Sequence, residues 1–251
     1  RVCEERGIRR LRDLTVAAVE RWLRERADEG LSAGTRNGYR RALVAFGNWC
    51  VRNGRLASSP LAKVATADDR ADRQRTRRAL TDDELVRLLD AARRRPLAEA
   101  LTIQKGKRRG QQGAKVSDAT RERLDRAGRE RALIYKTLVL TGLRKGELAS
   151  ITVGQVDFNG PVPYLLLHAR HEKNRRGAEI PLRKDLAAEL RAWMEETLAL
   201  AQADARERDE SVPARLPPTT KMLRGPSGLI RIFNRDLAFA GIATMEKRGG
   251  K

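Results

Sequence analysis

Cysteine is scarce: Cys3 and Cys50 are the only two in 251 residues, and they stand far apart. That excludes a disulfide framework or a cysteine-rich zinc site and fits a reducing, cytoplasmic compartment. Histidine is equally rare, with His168 and His171 alone. Both fall in an expected strand, where residues three apart point to opposite faces. No cysteine or carboxylate cluster completes a ligand set, so neither metal nor cofactor is expected. Aromatic residues make up 4%, too few for the stacking platforms that single-stranded nucleic acid requires. No run of about 18 apolar residues occurs, and the N-terminus is charged from Arg1, which argues against a membrane span or signal peptide.

Acid is also in deficit. The chain has 53 Lys+Arg against 33 Asp+Glu, a net charge of +20 and a pI near 11. Such a balance calls for a polyanionic partner. Nucleic acid comes ahead of an anionic membrane, because no long basic amphipathic helix is present. With 40% hydrophobic and 34% charged residues the chain is globular and long enough to bury one or two cores.

The clearest local signal is Thr141-Gly142-Leu143-Arg144-Lys145-Gly146-Glu147-Leu148, preceded by the apolar run Ala132 to Leu140. The run reads as a buried helix, Gly142 as its left-handed stop, and Arg144 as the start of the next helical turn. Guanidinium is a permanent planar cation able to grip two oxygens of one phosphate, so an arginine held at this point suits phosphate binding. The alternative is a helix-helix turn in which Arg144 pairs with Glu147 one turn on.

Upstream, Val16, Val19 and Leu23 mark a helix capped by Asp13 or Thr15 and closed by Gly30. A second helix opens at Ser32 or Thr35. Its buried stripe is Tyr39, Leu43, Phe46 and Cys50, and its opposite face carries Arg36, Asn37, Arg40, Arg41 and Arg52. That face is cationic and amide-bearing without acids, the composition expected for phosphate contact. Residues 65–79 alternate acids and arginines and read as an extended linker. Thr81 and Glu84 then form a capping box for a helix with Leu85, Leu88, Leu89 and Ala92 on its buried face, which Pro96 is expected to end. Residues 97–129 are basic and Gly-rich with a helix signal after Ser117, and disorder is the expectation for the loop. Beyond Leu148 the period changes. Gln155–Phe158, Tyr164–Arg170 and Ala178–Leu182 form three expected antiparallel strands, the last two joined by a turn at 174–177. A helix from Leu186 to Leu198 and another through Leu229, Ile230, Phe233 and Leu237 follow.

The Arg144 octapeptide, together with Lys173 at the mouth of the hairpin, resembles the tyrosine recombinase (phage integrase) family, XerC/XerD-like. The resemblance implies a mainly α fold: a SAM-like core-binding helical bundle (1–64), a linker (65–79) and an incomplete catalytic domain (80–251). That domain would carry a three-stranded antiparallel sheet and a basic insertion at about 97–129. It implies that Arg144 contacts the scissile phosphate with Glu147 in support. Lys173 would protonate the departing 5′ oxygen, with Arg175 and Arg176 beside it on the DNA. Arg36, Asn37, Arg40 and Arg41 would contact duplex DNA. Such a protein performs site-specific recombination through a 3′-phosphotyrosine link and self-associates as a tetramer on double-stranded DNA, without a metal. The family's His-x-x-Arg motif and nucleophilic tyrosine have no match here: Tyr39, Tyr135 and Tyr164 lie in elements where the family has no nucleophile. The missing initial Met and the glycine-lysine end suggest an excerpt of a longer protein. Alone it is expected to be inactive, or to be a DNA-binding remnant or regulator.

Overall fold

The computed structural model describes residues 2–70, 78–171 and 175–243. They fall into two compact units, one within Arg1–Arg78 and the other within Ala79–Thr244.

The first unit is helical: α1 (Val2–Glu5), α2 (Val16–Asp28) and α3 (Ala33–Arg52). Thr15 caps α2 by accepting from the Ala18 amide at 3.2 Å, and Ser32 caps α3 by accepting from Thr35 at 3.3 Å. Asp13 instead accepts from the amides of Arg9 and Arg10. The core joins Leu14, Val19, Leu61 and Val64 with Ile8, Val16, Leu23, Leu43 and Val44, and Trp22 meets Tyr39 edge to face. Phe46 departs from the expected stripe. The buried line of α3 runs through Gly47 and Cys50, so Phe46 and Trp49 lie outside and stack on each other.

The first part of the expected linker is bonded to this unit. The side-chain amide of Asn37 donates to the Ala67 carbonyl at 2.8 Å and accepts from the Ala67 amide at 2.9 Å. Arg40 Nε donates to the Val64 carbonyl at 2.6 Å.

The second unit holds α4 (Asp82–Leu101), α5 (Asp118–Thr141), α6 (Lys145–Ser150), α7 (Lys184–Glu207) and α8 (Leu229–Phe239). A sheet in the order β1 (Val156–Asp157), β2 (Tyr164–Leu167), β3 (Ala178–Pro181) completes it. All pairs are antiparallel, with Val156 opposite Leu165 and Leu165 opposite Ile180. The fold is mainly α with a small three-stranded sheet. Thr81 and Glu84 exchange both capping-box bonds. One continuous core runs through Leu88, Leu133, Ile134, Ile151, Leu165, Leu186, Leu190 and Leu223.

Three local expectations change. Helix α4 passes through Pro96 instead of ending there. Proline removes the amide that would bond the Ala92 carbonyl, and Arg131 Nη2 replaces it, donating to that carbonyl at 3.0 Å. Residues 97–101 belong to α4 and residues 118–129 form the first half of α5, so the loop between α4 and α5 is 102–117. Gly128 lets the two helices close: a Cβ there would sit 2.1 Å from the Arg93 carbonyl oxygen. Ile230 is exposed, because the inward face of α8 carries Leu229, Asp236 and Leu237.

Candidate active site

The apolar run of α5 ends where Gly142 takes φ 69°, its amide closing the last turn on Leu138 at 3.1 Å. Leu143 then turns inward and is buried, which fixes the chain direction for the next residue. Arg144 is the N-cap of α6 in an extended conformation. Its backbone amide donates to Glu147 Oε2 and its Nη1 donates to Oε1, both at 2.8 Å.

The two side chains differ in setting: Glu147 is 7% exposed and Arg144 61%. A carboxylate seated in the fold therefore holds one edge of a guanidinium whose other donors face solvent. The octapeptide accommodates both readings of Arg144, the ion pair and the presented cation. Helix α6 packs against the turn Ala169–His171 that follows β2, and Lys145 ties α6 to the Ser227 carbonyl at 2.9 Å. The start of the β2–β3 hairpin thus lies beside the Arg144 helix.

Lys173 falls outside the described residues. Arg175 and Arg176 flank it on the exposed return of the hairpin, Arg175 with φ 55° and Gly177 with φ 76°. His168 and His171 bound a short 3-10 turn, not a strand, and Arg170 Nε donates to His171 Nε2 at 3.0 Å.

In the first unit, Asn37 is buried and its amide is bonded to Ala67, so it shapes the unit. Arg36 and Arg41 each give Nε to a backbone carbonyl, of Leu31 and Asn37 respectively, and Arg41 is exposed.

A second polar cluster was not foreseen. Asp236, fully buried on α8, receives Arg95 Nε of α4 at 2.5 Å and the Tyr135 hydroxyl of α5 at 2.7 Å, with Arg131 at 3.2 Å. Arg95 also donates to Glu99 at 2.7 Å. Burial, then the bond to Asp236, pushes the Tyr135 hydroxyl far above its ordinary range. The nearby Asp157 carboxylate raises Tyr164. A sequence signal existed: Asp236 follows Leu229 and Phe233 at helical spacing, and an acid on an apolar stripe needs buried cations.

Residues 78–212, more than half of the chain, match the phage integrase family. The chain belongs to the phage integrase family. Solved structures of similar fold include an integrase and a site-specific recombinase. The chain is 20% identical to lambda integrase (75-356), solved as a dimer bound to a COC′ core site, with a TM-score of 0.53 over 94% of this chain and 68% of that one. XerH in a post-cleavage complex with palindromic difH substrate is 16% identical, with a TM-score of 0.57 over 97% and 61%. XerH in a pre-cleavage complex is 14% identical, with a TM-score of 0.54 over 94% and 56%. The chain therefore spans between 56% and 68% of these integrase and recombinase chains. No curated protein matches it. Within this integrase-family fold, the match covers the Arg144 turn, α6 and the β2–β3 hairpin.

Proposed function

We propose that this integrase-family protein acts in site-specific DNA recombination. In this reading Arg144 holds the scissile phosphate, Glu147 orients it, and Lys173 donates a proton to the departing 5′ oxygen. Residues 1–64 act as a core-binding domain, 65–79 as the linker and 80–251 as part of the catalytic domain. Arg36, Arg40, Arg41, Arg175 and Arg176 contact duplex phosphates, while Asn37 serves them indirectly by pinning Ala67. The partner is double-stranded DNA, on which copies of the complete protein assemble as a tetramer.

The observation that carries this reading is the exposed Arg144 guanidinium, steadied by buried Glu147 on a helix beside the hairpin. A fixed fork is complementary to a phosphate gaining negative charge in the transition state, and it needs no reorganisation when that charge develops.

Strand cleavage also needs a nucleophile. Tyr135 is unsuited, since its buried hydroxyl is committed to Asp236. Tyr39 packs on Trp22, and Tyr164 lies in β2. No His-x-x-Arg occurs in the 251 residues. These residues therefore bind DNA and supply part of a catalytic centre, and a tyrosine supplied outside them forms the 3′-phosphotyrosine bond. The second reading is a DNA-binding remnant or regulator.

A nicked duplex that traps covalent intermediates separates the two. The 251 residues alone should bind it without a covalent adduct. A chain that also carries a His-x-x-Arg and a later tyrosine should form one, and Arg144→Ala should abolish it. An adduct unaffected by Arg144→Ala would overturn the assignment.

A further inference from the structure

The loop joining α4 to α5 carries Lys105, Lys107, Arg108, Arg109 and Lys115 and no acidic residue from Thr102 to Ser117. Its composition suggests an unstructured spacer, yet it is a braced hairpin. Thr102 and Gln112 form an antiparallel bridge. Ile103 donates to the Gln111 carbonyl at 2.9 Å and Gly110 to the Ile103 carbonyl at 2.8 Å. Gln112 Nε2 ties the base to Thr102 Oγ1 at 2.8 Å. Gly106 and Gly110, at φ 80° and 86°, make the turns that a side chain would strain.

Residues 104–113 are all exposed, and among the described residues none of the five cations forms an ion pair. Four cations within five positions repel one another, and ordering them in a hairpin keeps them close. An acid nearby would relieve that repulsion. None is supplied, so the arrangement is complementary to a polyanion brought from outside.

We propose that the 102–117 hairpin is a second phosphate grip, contacting the duplex backbone independently of the Arg144 site. This rests on the DNA-binding reading above. The grip is separate because α5 lies between them. Ser117 caps one end and Gly142 the other, and 24 helical residues span about 36 Å at ~1.5 Å each. That span is close to one turn of B-DNA, about 34–36 Å. The contacts are to phosphates and carry no sequence preference, since the hairpin tip offers flexible cations and no rigid reading helix.

The test uses the 251-residue chain and measures duplex affinity across salt concentrations. Each phosphate contact contributes about 0.9 to the slope of log affinity against log salt. Lys105→Gln, Lys107→Gln, Arg108→Gln and Arg109→Gln together should make the slope shallower by about 3 to 4. The change should add to that of Arg144→Ala, because the two ends of α5 share no partner. If the fourfold variant melts below the wild type, Lys105→Gln with Lys107→Gln alone should still lower the slope by about 2. A wild-type chain that binds duplex with a slope unchanged in these variants overturns the hairpin grip and leaves the recombinase reading standing. A wild-type chain that does not bind duplex overturns both. Variants that lose binding to anionic phosphatidylserine vesicles but not to duplex would assign the hairpin to a membrane and overturn the inference.

Discussion

Arg144 and Glu147 are joined twice, amide to Oε2 and guanidinium to Oε1, with the carboxylate buried and the cation exposed. The asymmetry separates two jobs. Glu147 closes the start of α6 and so belongs to the fold. Arg144 gives one nitrogen to that carboxylate and presents the rest outward.

The first prediction follows from that division. Arg144→Lys keeps the charge but loses the fork, so cleavage by a chain bearing the tyrosine should fall by on the order of a hundredfold or more, with duplex affinity little changed. Glu147→Ala should lower stability by about 1–3 kcal/mol, because the Arg144 amide and guanidinium both lose their acceptor. Trapped-adduct kinetics and denaturant unfolding measure the two separately. An Arg144→Lys enzyme with normal cleavage would reduce the arginine to a partner of Glu147.

Asn37 and Arg41 should behave oppositely although both lie on α3. Asn37→Ala loses both bonds to Ala67 and should cost stability, about 1–3 kcal/mol. Arg41→Ala should leave the melting temperature within a degree or two and weaken duplex binding, since its side chain is exposed. Melting curves and salt-dependent binding, run on both variants, check the contrast.

Asp236 is the counter-charge for Arg95 and Arg131 inside the second unit. Asp236→Ala leaves Arg95 Nε and the Tyr135 hydroxyl in the core without their acceptor and should destabilise that unit by about 3–5 kcal/mol. Pairing Arg95→Met with Asp236→Leu should recover part of the loss, because a buried pair is often replaceable by apolar groups when both members go. Urea unfolding of the single and double variants gives the comparison.

Acid should weaken the second unit through Asp185. The Lys136 ammonium, which also pairs with Glu189, holds the Asp185 carboxyl at about 2, below its usual 3.8. A folded value below the unfolded one means the stabilisation is complete above the unfolded value and is lost as pH falls from there towards 2. Glu196, held low chiefly by Arg129, acts in the same direction. The melting temperature should therefore drop over that acid window, and Lys136→Met should flatten part of the drop.

Much of the fold was legible because its signals are local. The Thr81–Glu84 capping box, the Gly142 stop, the Arg144 N-cap position and the three strand positions each depend on residues a few places apart. Backbone sterics and helix-end hydrogen bonding act over that range, so the order of residues suffices to determine them. Tertiary structure decided what depends on distant partners. Pro96 could remain inside α4 only because Arg131, on another helix, takes the orphaned carbonyl. Phe46 faces outward because the close approach at Gly47 and Ser59 sets which line of α3 is buried. Asn37 left the expected cationic face because Ala67, thirty positions on, satisfies its amide. The Arg95–Asp236–Tyr135 cluster joins three helices, with Asp236 more than a hundred positions from either partner. Desolvated polar groups must find partners wherever the packed chain places them, and that placement follows from the whole core, not from any one segment.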